Sequence, residues 1–387
     1  MNEVARLLVE LGSVVLGLGL VARLASRWSI SPIPLFLIAG LALGEGGILP
    51  IVTSEEFIEV GAEIGVIFLL LMLGLEYSAD ELVTGMKSVA PSGIVDLVLN
   101  FVPGLAAGLL LGWPIVPALF LGGVTYISSS GVVAKLLGDM GWTGNRETPI
   151  VLSLLVFEDL VMAILLPILG VLALGGTFVG AVLAISVALA VMIGTIAFAY
   201  RQGDKVGSFI FHTSDEVSLL TVFGLTLLVA GLAEGIGISA AVGAFLVGIS
   251  VSGHAADRAR ALLTPLRDLF AAVFFLFFGL STDPGNISGV LLVAVSLGVV
   301  TGYTKFVAGR WAAKRSGSSE RGRVRAGLVL LPRGEFSIII AGLGAGLAGG
   351  SELPALAAVY VLVMAIAGPL IVRLHQAWIA TPVPAAS

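Results

Sequence analysis

Apolar residues run along this chain in long, nearly unbroken stretches, and polar residues collect in the short intervals between them. A helix rising about 1.5 Å per residue needs about 20 apolar residues to cross a hydrocarbon core roughly 30 Å thick. The stretches that qualify are 4–24, 32–50, 60–79, 89–111, 114–138, 149–173, 177–200, 216–233, 237–253, 265–281, 287–309, 324–346 and 355–378. That predicts thirteen membrane helices, an odd number, so the termini fall on opposite sides.

Basic residues test this count, because Lys and Arg prefer cytoplasmic loops. After odd-numbered spans come Arg23 and Arg27, Lys87, Arg146, Arg201 and Lys205, Arg258, Arg260 and Arg267, the cluster from Arg310 to Arg325, and Arg373. After even-numbered spans there are none. The pattern predicts the N-terminus outside and the C-terminus inside, with Arg6 the one flanking charge on the wrong side. Lys135 lies near a cytoplasmic helix end, and Lys305 and Arg333 are the basic residues left deep in spans.

Composition agrees. Hydrophobic residues make up 58% and charged residues 12%, with a mean hydropathy of +1.10, too little polar surface to cover a soluble globule. The expected class is an all-α polytopic membrane protein. There is no cysteine, which excludes disulfides and thiolate metal sites, and His212, His254 and His375 form no ligand pattern. Glu3, Arg6 and Glu10 lead straight into the first apolar run, which reads as a retained helix rather than a cleaved signal.

A repeat is visible beneath the spans. Phe68–Asp80 (FLLLMLGLEYSAD) resembles Phe274–Pro284 (FFLFFGLSTDP), and LFLIAGLALG in span 2 resembles AFLVGISVSG in span 9. Both pairs are seven spans apart. Seven is odd, so the copies lie in opposite orientations, the inverted-repeat plan of many secondary transporters. The same shift pairs span 5, interrupted by Thr125-Tyr126-Ile127-Ser128-Ser129-Ser130-Gly131, with span 12, interrupted by Pro332-Arg333-Gly334-Glu335. Proline removes a backbone donor and hydroxyls can replace lost backbone partners, so both are places where a membrane helix can unwind. Arg333 and Glu335 stand where half-helix ends need neutralising, a structural role preferred here to direct ion binding.

The candidate chemistry lies in span 6. Thr148 reads as its N-cap and Pro149 as its first helical residue, and Glu158 and Asp159 follow about 15 Å further in, near mid-membrane. No other charge occurs from Ile150 to Tyr200. A central Asp costs about 3 kcal/mol on insertion scales, so such an acid marks an ion or proton path by default, the competing reading being a satisfied structural charge. Monovalent cations take carboxylate, hydroxyl and carbonyl oxygens, which Asp159 and the unwound stretch around Thr125, Ser128, Ser129 and Ser130 would supply. Neighbours on a helix point about 100° apart, so Glu158 and Asp159 face different ways. The expected arrangement pairs Glu158 with Lys305 and leaves Asp159 to the cation; the reverse pairing, and a Lys305 that reaches the cytoplasmic edge, stay open. Asp96 and Asn100, one turn apart, either line the cavity or join helices. Glu76, Asp80 and Glu81 read as an interfacial helix end, Glu234 and Asp283 as external surface, and Arg258, Arg260 and Arg267 as a site for anionic lipid or a cytoplasmic partner.

These features resemble the monovalent cation:proton antiporter-2 family, and within it the membrane subunits of bacterial K⁺/H⁺ antiporters, over essentially the whole chain. The residues that carry the likeness are FLLLMLGLEYS, ISSSGVVAKLL, VFEDLVMAILLP, Lys305 and LPRGEFSIII. The resemblance implies an inverted repeat with crossed broken helices (the NhaA/NapA-like antiporter fold) and a homodimer in the bacterial inner membrane. It places a dimerisation and gate domain at 1–85 and 216–285, a mobile core at 86–174 and 286–387, and a linker helix at 175–215. The family's essential aspartate falls on Asp159, with Glu158 a variant of the residue before it. Cargo would be K⁺ or Na⁺ against H⁺, with no cofactor, no enzymatic activity and no nucleic acid. Some relatives append a nucleotide-binding regulatory domain after the last helix; here the chain stops at Ser387, so such control is expected from a separate cytoplasmic subunit with a nucleotide- or ligand-binding domain. The choice between K⁺ and Na⁺, and between electrogenic and electroneutral exchange, stays open. A channel-like cation path is the second reading, disfavoured by the lack of a TVGYG-type carbonyl filter, and a non-transporting sensor or scaffold the third.

Overall fold

The computed structural model describes residues 3–27, 32–44, 55–76, 79–173, 214–235, 240–251, 254–282, 285 and 287–380, with single positions 186, 190 and 194. Among these residues there are helices and no strands: α1 (Glu3–Arg27), α2 (Ile33–Leu43), α3 (Glu55–Glu76), α4 (Ala79–Leu110), α5 (Ile115–Tyr126), α6 (Ser130–Asp139), α7 (Thr148–Ala173), α8 (Asp215–Gly235), α9 (Ala240–Ser250), α10 (His254–Leu280), α11 (Ile287–Arg315), α12 (Glu320–Val329), α13 (Glu335–Leu343) and α14 (Leu353–Ala380). Twelve of the thirteen expected spans are accounted for, two of them each split into a pair, α5/α6 and α12/α13. Apart from positions 186, 190, 194, 214 and 215, the seventh span and the linker assigned to it lie outside the described residues, as do Arg201, Lys205, His212, Asp283 and the side chains of Glu76, Asp80 and Glu81.

Among the described residues, seven helical stretches are long and apolar enough to cross a membrane, from Val89–Leu110 to Leu353–Gln376, and α2 and parts of α1 and α3 form shorter apolar helices. The burial pattern is that of a protein in lipid. On α4, Ile94, Val98 and Val102 recur every fourth residue and are exposed, while Asp96 and Asn100 on another face are fully buried. On α11, Leu292, Val299 and Tyr303 are exposed and Thr301 and Lys305 are buried. Apolar side chains outward and charge inward is the reverse of a water-soluble fold.

Local chemistry sets the helix ends. Gly112 (φ 79°) and Gly317 (φ 77°) adopt the left-handed conformation that closes α4 and α11, letting Trp113 N reach Gly108 O and Ser318 N reach Ala313 O, both at 3.0 Å. The start of α7 differs from the sequence reading. Thr148 is already helical, and its hydroxyl donates to Trp142 O at 2.6 Å instead of capping an N–H of its own helix.

The chain divides into two compact units, Met1–Lys87 with Leu160–Pro284 and Ser88–Asp159 with Gly285–Ser387. In the first, α3 packs on α9 and α10, α2 on α10, and α8 on α9. Its core gathers Phe68, Leu71, Met72, Leu75, Val222, Val247 and Leu263, with Phe68 stacked on Phe223 and Phe270 at centroid distances of 5.4 and 5.7 Å. Two glycine pairs let backbones touch: Gly74 of α3 meets Gly248 of α9, and Gly40 of α2 meets Gly279 of α10. The α2–α10 contact is thus the counterpart of the α9–α3 contact, as the inverted repeat requires. In the second unit, α11 packs on α12 and α14, and α13 on α5 and α14.

A Cβ at Gly248 would collide with Leu71 O and the Gly74 backbone, and one at Gly231 would meet open space. Gly248→Ala is therefore expected to lower stability in detergent by about 1–3 kcal/mol, and Gly231→Ala to leave it unchanged or raised. Equal melting temperatures for the two variants would show that the glycine contact is not needed.

Candidate functional site

The two broken helices meet at their breaks, both within the second unit. The chain leaves α5 at Ile127 and enters α6 at Ser130; it leaves α12 at Leu330 and re-enters at Glu335. Ser129 N donates to Pro332 O at 2.9 Å, so one break supplies a backbone partner that the other has lost. A Cβ on Gly334 would strike the Ser129 hydroxyl, which explains a residue without a side chain at that point of closest approach.

Each half-helix end is matched by opposite charge or a hydrogen bond. Lys305 Nζ donates to Tyr126 O, at the C-end of α5, at 3.0 Å. Arg333 Nη1 donates to Leu330 O and Leu331 O, at the C-end of α12, at 3.2 and 3.3 Å. Cations belong at these ends because the helix dipole is negative there. At the N-ends, the Ser129 hydroxyl accepts from Val132 N at 3.4 Å and donates to Glu335 Oε2 at 3.3 Å, and Glu335 opens α13 as a first-turn acid.

Lys305 is fully buried and does not reach an edge. Its ammonium contacts Asp96 Oδ1 and Oδ2, both at 2.8 Å, and Glu158 Oε1 at 3.2 Å. The Glu158–Lys305 pair is present, and Asp96 is the closer partner. Asn100 Nδ2 donates to Asp96 Oδ1 at 3.0 Å, and Thr304 Oγ1 to Asn100 Oδ1 at 3.0 Å, so these two residues join α4 to α11. Glu158 also accepts from Ser128 N, and the Ser128 hydroxyl lies 3.2 Å from Glu158 Oε1, 3.1 Å from Leu330 O and 3.3 Å from Arg333 Nη1.

The expected oxygen donors are not used alike. Thr125 is buried and its hydroxyl donates to Asn100 O at 2.8 Å, joining α5 to α4. Ser128 and Ser129 serve the crossing itself, and Ser130 begins α6, partly exposed. Asp159 is 4% exposed, one residue from Glu158. The sequence reading places Tyr126 in the interruption of span 5 with no role for its side chain, and Tyr360 is a further buried polar residue of the site. Tyr360 is fully buried; its hydroxyl accepts from Arg333 Nε at 3.1 Å and shares a hydrogen bond with Thr301 at 2.9 Å. Asp96 had a legible signal, a deep carboxylate on the inner face of a span, but its partner is 209 positions away.

Around the breaks, three buried carboxylates (Asp96, Glu158, Asp159) face two buried cations (Lys305, Arg333) among the described residues. Carboxylates gathered in a low-dielectric interior are costly to hold ionised, and a proton or a metal cation there would relieve that cost. The fold and the cluster together define a polytopic helical antiporter with an inverted repeat and crossed, broken helices.

Comparison with known proteins gives the family. The model described as "Sodium/hydrogen exchanger, transmembrane" matches residues 12–376, and this chain belongs to that family of cation/proton antiporters; it is a transporter and not an enzyme. It is 36% identical to the K(+)/H(+) antiporter subunit KhtU of Bacillus subtilis (strain 168) over 379 residues, covering 95% of this chain and 93% of that one. It is 31% identical to the ammonium/H(+) antiporter subunit AmhT of Alkalihalophilus pseudofirmus over 370 residues, covering 94% and 92%. The structure of the sodium proton antiporter MjNhaP1 from Methanocaldococcus jannaschii at pH 8 superposes with a TM-score of 0.70 at 20% identity, covering 97% of both chains, which establishes the shared fold.

Removing the ammonium alone would leave two buried carboxylates without it. Lys305→Ala is expected to cost about 3–5 kcal/mol in detergent unfolding, and Lys305→Met combined with Asp96→Asn to recover part of that loss. A Lys305→Ala protein that melts like wild type would show that the pair is not structural.

Proposed function

We propose that this protein exchanges a monovalent cation for protons, with Asp159 holding either one but never both, and that K⁺ is the preferred cation and Na⁺ the alternative. The observation that carries this reading is the carboxylate-rich buried cluster, three acids beside two cations at the crossing of two broken helices, in a chain of a cation/proton antiporter family. Glu158 is engaged with Lys305 and Ser128, and we assign the alternation of cation and proton to Asp159, the buried acid beside it at the broken helices. Oxygen donors at Ser128, Ser129, Ser130 and Thr125 complete the proposed site, with Lys305, Arg333 and Glu335 holding its frame.

Exchange then follows from competition. A site neutralised by a cation crosses one way and a site neutralised by a proton crosses back; the uncompensated form is held back by the cost of its charge. The cluster lies wholly in the second unit, so displacement of that unit would carry the site intact, the elevator form of alternating access. The first unit, stiffened by its glycine contacts, would serve as gate and dimer interface. Preference for K⁺ is supported by the relatives: KhtU is named for K⁺, and AmhT for ammonium, which is close to K⁺ in size. MjNhaP1 is named for sodium and is the more distant in sequence. Both KhtU and AmhT are named as subunits, which supports a separate regulatory partner here. The proposed location is the bacterial plasma membrane, N-terminus outside and C-terminus in the cytoplasm, as the basic loops suggest.

In proteoliposomes with an internal pH dye, K⁺ is expected to evoke the largest pH change, followed by Rb⁺, Na⁺ and Li⁺, and Asp159→Asn to abolish the response to all four. Undiminished exchange by Asp159→Asn would remove this residue from the site, and cation flux without opposing proton movement would favour a channel.

A further inference from the structure

Tyr126 is the last residue of α5, and its side chain is fully buried. The Lys305 ammonium stands 5.3 Å from the centroid of its ring and 3.0 Å from its carbonyl oxygen. Yet the phenol oxygen has no hydrogen-bond partner among the described residues, although buried tyrosine hydroxyls usually find one. Lacking such a bond, the hydroxyl is a liability to the folded state, and phenylalanine would fill the same space without it.

The surroundings say what the hydroxyl is for. The carboxylates of Asp96, Glu158 and Asp159 all bear electrostatically on the phenol. The residue also sits at the C-end of a half-helix, where the dipole is negative. A neutral oxygen with free lone pairs in such a field attracts positive charge. We propose that the Tyr126 hydroxyl is a ligand of the transported cation and a determinant of which cation is taken. The proposal rests on the antiport reading above and adds to the serine and threonine hydroxyls a phenol oxygen at the end of α5. A phenol oxygen is a weaker-field ligand than a carboxylate, and replacing a hydration shell with neutral oxygens favours large, weakly hydrated ions over small, tightly hydrated ones. Tyr126 therefore tilts the site toward K⁺ and Rb⁺ relative to Na⁺ and Li⁺.

The test is Tyr126→Phe in the full chain, which deletes one oxygen and keeps the ring under Lys305. In proteoliposomes, the apparent KM for K⁺ and Rb⁺ is expected to rise about tenfold, the effect of losing one hydrogen-bond-strength contact to a charge, with a smaller rise for Na⁺ and Li⁺. In detergent, without any transport, the melting temperature in the absence of cation should be equal or higher than wild type, and its increase on adding K⁺ should shrink. A variant with wild-type KM and wild-type stabilisation by K⁺ overturns the proposal. So does a variant that melts lower with KM unchanged, since the hydroxyl would then be a packing group. If the wild-type protein shows neither a cation-evoked pH change nor stabilisation by K⁺, the antiport reading falls and takes this one with it; exchange by the wild type with an indifferent Phe variant sinks this one alone.

Discussion

A lysine ammonium with no exposure to solvent, shared between Asp96 and Glu158 and bonded to the last carbonyl of α5, is the contact on which the second unit depends. Four helices meet in it: Asp96 comes from α4, Tyr126 from α5, Glu158 from α7 and Lys305 from α11. Burying an ammonium costs several kcal/mol unless its protons are all engaged. Here carboxylates and a carbonyl engage them from three directions. That arrangement lets α5 stop at mid-span, because the carbonyl that would have bonded onward into the helix is met by a charge instead.

The same principle answers for the other break. In hydrocarbon every backbone polar group must be satisfied within the protein, so irregular backbone survives only where side chains or another chain segment take over. Arg333 does for α12 what Lys305 does for α5, and Ser129 and Glu335 serve the opposite ends. The direct bond from Ser129 N to Pro332 O ties the two interruptions together. An inverted repeat suits this economy: two helices of opposite direction, broken at the same depth, present complementary ends to one another.

Helical ends, serines and arginine offset one another around a cluster of three buried carboxylates and two buried cations. Carboxylates at that depth are expensive to hold ionised, and a proton or a metal ion is what neutralises them. On the proposed reading, a site that either of two species can fill exchanges one for the other. The first unit contributes nothing to this charge count among its buried described residues, which are apolar apart from hydroxyls. Its glycine-to-glycine contacts make it a close-packed apolar body.

Much of this was legible in the chain itself. Membrane helices, their number and the two points of interruption follow from hydropathy, Ser129 and Pro332, because lipid leaves the backbone so few options. Glu158 and Asp159 declared themselves by standing alone in an apolar run, and Lys305 by being a lysine where none should be. What the chain could not disclose was who meets whom. Asp96 reads as an ordinary inward polar residue until α4 and α11 are brought together, and only then is it the nearer counter-ion of Lys305. Thr125 donates its hydroxyl proton to Asn100 O, a partner on another helix that the chain does not name, and keeps its oxygen lone pairs for the proposed cation. Tyr126 falls in the legible break of span 5, but the surroundings of its hydroxyl, like those of Tyr360, appear only when the helices are packed. Periodicity and the cost of charge in lipid act along one helix and can be read from sequence; pairing depends on packing between residues such as Asp96 and Lys305, 209 positions apart, and that is set by the tertiary structure alone.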